Sequence, residues 1–277
     1  MVSATQGLLM GMPGRFLSVR SWRVISLGLL LGPASDICFA EEWSDLRVAG
    51  PFVCRADFSL QGSQALLDDL AQLREDLVQV LGIAAPREHI EIYLFRNEAD
   101  YRQYLSKFLS DVPYRRALYI KRGGPGVVLA YASKELATDL RHECTHALLH
   151  AVLPMVPLWL DEGLAEFFEV SPQDRPYGSP HLTKIRWNAK FGVKTAIDKL
   201  ERKGEVTEMG SAEYRDAWAW VHYIMYGSRD AHGELVLYLR DIAGNVPPGS
   251  LGARLVQRIP RLEQEYLSHF RGWTARR

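Results

Sequence analysis

The chain has 277 residues, 47% of them hydrophobic and 24% charged, with 33 Lys+Arg against 33 Asp+Glu. This is the makeup of a folded globular protein, and it excludes disorder, collagen and coiled coil as overall descriptions. No basic excess is present to neutralise phosphates, so nucleic acid is not an expected partner.

Arg15, Arg20 and Arg23 precede the apolar run 24–31, which Gly32 and Pro33 end; Cys38-Phe39-Ala40 then stands before two acids. Basic stretch, short apolar stretch and small residue, in that order, read as a secretory signal peptide over 1–40. The expected product is exported, periplasmic or secreted, with cleavage near Ala40. A membrane span needs about 20 apolar residues, far more than this run supplies. A lipid anchor on Cys38 is disfavoured, because Ser35-Asp36-Ile37 is not a run of small apolar residues. Beyond the signal only Cys54 and Cys144 remain, too few for a disulfide scaffold. Whether those two pair is not decided by their spacing.

From 45 to 58 the apolar positions alternate, interrupted at Gly50-Pro51, which predicts strand. Leu66, Leu67, Leu70, Leu73, Leu77, Val80 and Leu81 then recur at helical spacing between Ser63 and Gly82. Residues 90–95 read as strand, 98–109 as helix, and 117–120 and 127–131 as two strands flanking the turn Gly123-Gly-Pro-Gly126. After Ser133 the pattern is helical, broken at 154–157, 171–180 and 244–252. The predicted class is α+β: a sheet-bearing N-terminal half, 41–153, and an all-helical C-terminal half, 154–277, with a helix over 134–153 at their junction.

That junction helix contains His142-Glu143-Cys144-Thr145-His146, an HExxH pattern. Residues four apart on a helix are separated by one turn plus about 40°, so the two imidazoles share a face about 6 Å apart and can bind one zinc ion. Glu143, offset by about 100°, stands beside such an ion, where a carboxylate can act as general base. Cys144 points away and is expected to pack. Leu136, Leu140, Leu148, Leu149 and Val152 make the helix largely apolar, so His and Glu are buried together and need partners. His150 lies one turn further on. Three histidines in file span about 12 Å and cannot all reach one ion, so His150 is read as a polar residue near the helix end. Asp139, one turn before His142 or Glu143, is read as a solvated charge, with orientation of a ligand as the alternative.

A catalytic zinc takes three protein ligands, so a third is required. Leu149 and Val152 occupy the positions where a metzincin would carry Gly and His. The stretches HECTHALL and PLWLDEGLAEFFE together resemble the gluzincin metallopeptidases, and more closely the small secreted bacterial peptidase-MA-like proteins; the similarity spans about 130–270. The resemblance implies a zincin-like fold with one zinc ion held by His142, His146 and Glu162. Glu166, one turn on, is an alternative by spacing; with Glu162 as ligand, the resemblance makes Glu166 the acceptor of a hydrogen bond from the first histidine, and leaves Glu169 solvated. It further implies an oxyanion donor from a downstream helix. Tyr214 is the first choice, His222 the second, and a plain core role for these aromatics the alternative.

In zincins the strand before the zinc helix, here 127–131, is an edge strand that pairs with an extended peptide substrate. No acid stands between Gly123 and Tyr131 where aminopeptidase relatives hold the substrate amine, which favours endopeptidase action on a peptide or protein. Two other readings stay open: a zincin-like cell-envelope binding module, and a zinc hydrolase of a non-peptide amide.

Overall fold

The computed structural model describes residues 43–273; the expected signal peptide lies outside the described residues. Strands β1 (Asp45–Ala49) and β2 (Phe52–Ala56) form a hairpin across Gly50-Pro51. Helix α1 (Gln64–Leu81) follows, burying Leu67, Leu70, Leu73, Leu77 and Leu81 in the predicted stripe. Strand β3 (Ile90–Phe95), helix α2 (Glu98–Phe108) and the hairpin β4 (Ala117–Ile120) and β5 (Gly126–Tyr131) complete the sheet-bearing part. The five strands lie in the order β1-β2-β3-β5-β4, with β3 parallel to both β2 and β5 and the two hairpins antiparallel.

This order corrects one expectation. The strand directly before the HExxH helix is interior, hydrogen-bonded to β3 on one side and β4 on the other. The edge strand on that side is β4. A parallel β3–β5 pairing needs a crossover, and α2 with the β4 strand supplies it, leaving β4 on the outside.

Period-two alternation divides the sheet between two cores. Ile90, Ile92 and Leu94 of β3 face one way, with Cys54, Val128 and Ala130, into the main core. Tyr93 and Phe95 face the other way, with Leu129 and Leu118, under Tyr101, Tyr104 and Leu105 of α2. The main core is continuous from Phe52 to Phe270.

Helix α3 (Leu136–Val152) lies on the main-core face, against β5, β4 and α1, and α4 (Leu158–Phe168) packs along it. The helices α5 (Leu182–Lys190), α6 (Ile197–Glu201), α7 (Ser211–Tyr226), α8 (Arg229–Ala243), α9 (Leu251–Arg258) and α10 (Leu262–Gly272) complete a mixed α+β structure. Among the described residues no helix is long and apolar enough to cross a membrane.

Helix α4 is the most enclosed of these helices. Leu160, Leu164, Ala165 and Phe168 are fully buried, and each large side chain so placed contributes roughly 1.5–3 kcal/mol. Its main partner is α7. The two backbones approach so closely at Gly163 that a Cβ there would stand 2.9 Å from the Ala217 carbonyl oxygen and from Val221 Cγ2. The glycine of the Trp-Leu-Asp-Glu-Gly stretch thus brings α7, with Tyr214 in its first turn, against the helix that carries Glu162.

Candidate metal centre

Helices α3 and α4 run side by side in opposite directions, and their polar residues meet in reversed order. His150 Nε2 stands 3.0 Å from Asp161 Oδ2, and His146 Nδ1 stands 3.0 Å from Asp161 Oδ1. One turn back along α3, His142 meets Glu162 through Nε2 and Glu169 through Nδ1. Eight residues separate His142 from His150 and eight separate Asp161 from Glu169, so two equal lengths of helix are paired end to end.

The centre of this array is a set of three donors. His142 Nε2 and His146 Nε2 each lie 3.7 Å from Glu162 Oε2, and the three ligand atoms fall within 4.8 Å of one another. On a tetrahedral zinc with bonds near 2.0–2.1 Å, neighbouring ligand atoms sit ~3.3 Å apart. The separations found here are close to that, and the donor types, two imidazoles and a carboxylate, suit zinc. The side chains keep 19%, 10% and 10% exposure, so the cluster is mostly buried but not sealed from solvent. The residues present therefore fit a divalent cation. Among the described residues this is the sole group of three or more His, Cys, Asp or Glu side chains with that property.

The electrostatics follow from packing histidines against acids. Burial disfavours a charged His142, but the Glu162 carboxylate 3.7 Å away, the hydrogen bond to Glu169 and the charge of Glu143 outweigh it and hold its pKa well above the usual value. His146 is held up at about 9 in the same way, burial being overcome chiefly by Asp161. For Asp161 burial is again opposed, by the charges of His146 and His150, and its carboxyl titrates below the usual range. Glu162 is likewise lowered by the two histidines against its burial. A cation entering the site must displace protons from the imidazoles.

Several positions differ from expectation. Glu169 is not solvated: it accepts the Nδ1–H of His142 at 3.0 Å and is 17% exposed. Glu166, expected in that role, instead accepts from His181 Nε2 at 3.1 Å. The reason is helical phase. Glu169, two turns beyond Glu162, returns to within about 20° of its direction, whereas Glu166 is rotated by about 40° toward the start of α5. Asp139 is no free charge either, since Arg116 donates to it at 2.7 Å. His150, held by Asp161, stays outside the ligand cluster.

Glu143 is half-buried on the same turn as His142. Tyr214 is also half-buried; its pKa is raised first by burial, then by the carboxylate of Glu162, with the positive charge of Arg115 pulling the other way. Tyr214 is therefore near enough to feel the charge of the Glu162 carboxylate. The Arg115 side chain is delivered by a pinned loop: its carbonyl accepts from the buried Tyr101 hydroxyl at 3.0 Å, and the next residue is the Arg116 bound to Asp139. His222, the second choice, is completely buried, with its ring nitrogens against His269 at 3.0 Å and the Pro176 carbonyl at 3.2 Å. It is a core residue. Cys54 and Cys144 are both buried as free thiols, and Cys144 faces the sheet as its helical phase requires.

Asp161, Arg115, Tyr119 and His181 were not singled out from sequence. Asp161 could have been, because an acid beside Glu162 on a helix antiparallel to one bearing His146 and His150 has obvious partners. The others come from distant segments.

No protein-family profile matches the chain, and no curated protein matches it. Among solved structures, an M1 zinc metallopeptidase from Deinococcus radiodurans aligns with a TM-score of 0.40 and 16% identity, over 82% of this chain and 49% of that one. The chain spans about half the length of that enzyme.

Proposed function

We propose that the protein is a zinc-dependent metallopeptidase of gluzincin type, exported through its N-terminal signal and acting as an endopeptidase. The observation that carries this reading is the convergence of His142, His146 and Glu162 within 4.8 Å, with Glu143 on the adjoining helical position and Tyr214 within reach of the Glu162 charge. Ligands, base and a candidate oxyanion donor are the parts peptide hydrolysis needs.

A zinc ion held by the three residues supplies Lewis acidity and makes water a competent nucleophile near neutral pH. Glu143 accepts the proton of the attacking water and returns it to the departing amine. Tyr214 donates its hydroxyl proton in a hydrogen bond to the oxygen on which charge develops. The positive charge of Arg115, felt at the Tyr214 hydroxyl, makes that hydroxyl a stronger donor. Glu169 fixes the tautomer of His142, so that Nε2 is the nitrogen offered to the metal. The substrate runs in the cleft between the halves 41–153 and 154–277, along the outer edge of β4, where main-chain groups are available for strand addition.

The test is hydrolysis of a broad peptide library by the zinc-loaded protein and by Glu143→Gln, with and without a hydroxamate. Wild-type cleavage that the substitution and the inhibitor both abolish is expected. Full activity in Glu143→Gln would remove the mechanism, and a zinc-loaded wild type that cleaves nothing would remove the peptidase reading.

A further inference from the structure

The geometry points to His150 as a positioning residue for the metal centre: acting through Asp161, it holds the His146 ring with Nε2 turned to the other two donors. The inference rests on the metal-centre reading above and extends it one layer outward.

Asp161 is buried, at 8% exposure, and divides its two oxygens between two histidines. Oδ1 faces His146 Nδ1 at 3.0 Å and Oδ2 faces His150 Nε2 at 3.0 Å. His146 Nδ1 and Asp161 Oδ1 have no hydrogen-bond partner elsewhere, so their mutual contact, although off the ideal line, is the one available to both. The orientation of the His146 ring therefore depends on where the Asp161 carboxylate points, and that direction is set from the far side by His150.

His150 is itself fixed. Its side chain is 16% exposed, its backbone carbonyl accepts from Lys121 Nζ at 3.0 Å, and its ring meets the Tyr119 ring edge-on at 5.4 Å. Tyr119 lies nearly parallel to the His146 ring, 17° between planes at 6.5 Å. The aromatic ring fits there because position 126 is glycine: a Cβ at Gly126 would stand 2.9 Å from Tyr119 Cε2. One side of the second metal ligand is thus enclosed by the β4–β5 hairpin and the other by the Asp161–His150 pair.

Replacing His150 with an apolar residue leaves a buried carboxylate oxygen without its donor, a costly state that the side chain relieves by rotating or drawing in water. Either response releases His146. Partners one layer out from a metal typically change affinity about 10–100-fold when removed, and His150 acts through Asp161, so about tenfold is expected.

The experiment compares wild type, His150→Leu and His150→Gln for Zn2+ affinity by competition with a chromophoric chelator, and for the visible absorption of the Co2+-loaded protein. His150→Leu should bind zinc about tenfold more weakly with an altered Co2+ spectrum. His150→Gln, whose amide can donate to the same oxygen, should recover most of both. Equal affinity and spectrum in wild type and His150→Leu would overturn the inference, as would equal impairment of the two variants, which marks loss of packing alone. If His150→Leu does not fold, His150→Ala takes its place with the same expectations. A wild-type protein that binds no zinc would instead sink the metal-centre reading, and this inference with it.

Discussion

The His142 imidazole and the Glu169 carboxylate meet at 3.0 Å although 27 residues separate them. Through this contact the end of α4 sets the tautomer of the first histidine of HExxH. Glu169→Gln should therefore weaken zinc binding about 10–100-fold, with Glu166→Gln, which breaks a pair with His181, much less affected. Zinc competition on the two variants measures the order, and a larger loss in Glu166→Gln would reverse the assignment.

The Tyr214 hydroxyl feels the negative charge of Glu162 and the positive charge of Arg115. Removal of one oxyanion donor costs about 10²–10³ in turnover in well-studied hydrolases. Tyr214→Phe should lower kcat by that order while zinc content and KM stay close to wild type. Unchanged kcat would return Tyr214 to the role of a packing residue.

Gly163 admits the backbone of α7. Gly163→Ala inserts a methyl group against the Ala217 carbonyl, which the two helices relieve by separating; overpacking of this kind costs about 1–3 kcal/mol. Thermal unfolding should report that loss, and zinc affinity should fall because Glu162 precedes the displaced residue. An alanine variant as stable as wild type would show that the interface yields.

Burial lowers the pKa of His222 to about 3, helped by the charge of His269, and burial lowers His269 to about 4. Both values lie below the 6.5 of an unperturbed histidine. The unfolded chain therefore binds more protons than the folded one below pH 6.5, and stability falls as pH drops from there toward 4. Each histidine contributes at most about 1.4 kcal/mol per pH unit. The raised His142 and His146 act the other way round: their contribution is complete below pH 6.5 and is lost as pH rises, so they do not mask the effect in this window. Melting of chelator-treated protein between pH 6.5 and 4.5 should show the decline, with a shallower slope in His269→Gln. Parallel slopes would refute it.

The legible features were those decided within one segment. The α1 stripe, the 117–131 hairpin and the shared face of His142 and His146 depend on periodicity and local turns, and all appear. The convergence of Glu162 on the histidines was anticipated from the resemblance of its helix. What stayed hidden depends on how separate segments meet. Whether Glu166 or Glu169 faces His142 depends on the phase and direction of α4 against α3, and an extra turn of helix looks the same in sequence in either case. The interior place of β5 depends on strand order, which a hairpin alone does not specify. Asp161 between His146 and His150, and Arg115 at Tyr214, join residues from separate elements whose individual patterns suggest only solvated charge.

The central claim is that His142, His146 and Glu162 hold one zinc ion at a site solvent can reach. Crystals of the zinc-loaded protein, with diffraction recorded on both sides of the zinc absorption edge, test it directly. The account predicts a single anomalous peak at ~2.0–2.2 Å from Nε2 of both histidines and from a Glu162 oxygen, with a remaining position open to water. A peak at other residues, or none at these three when zinc is in excess, would contradict it.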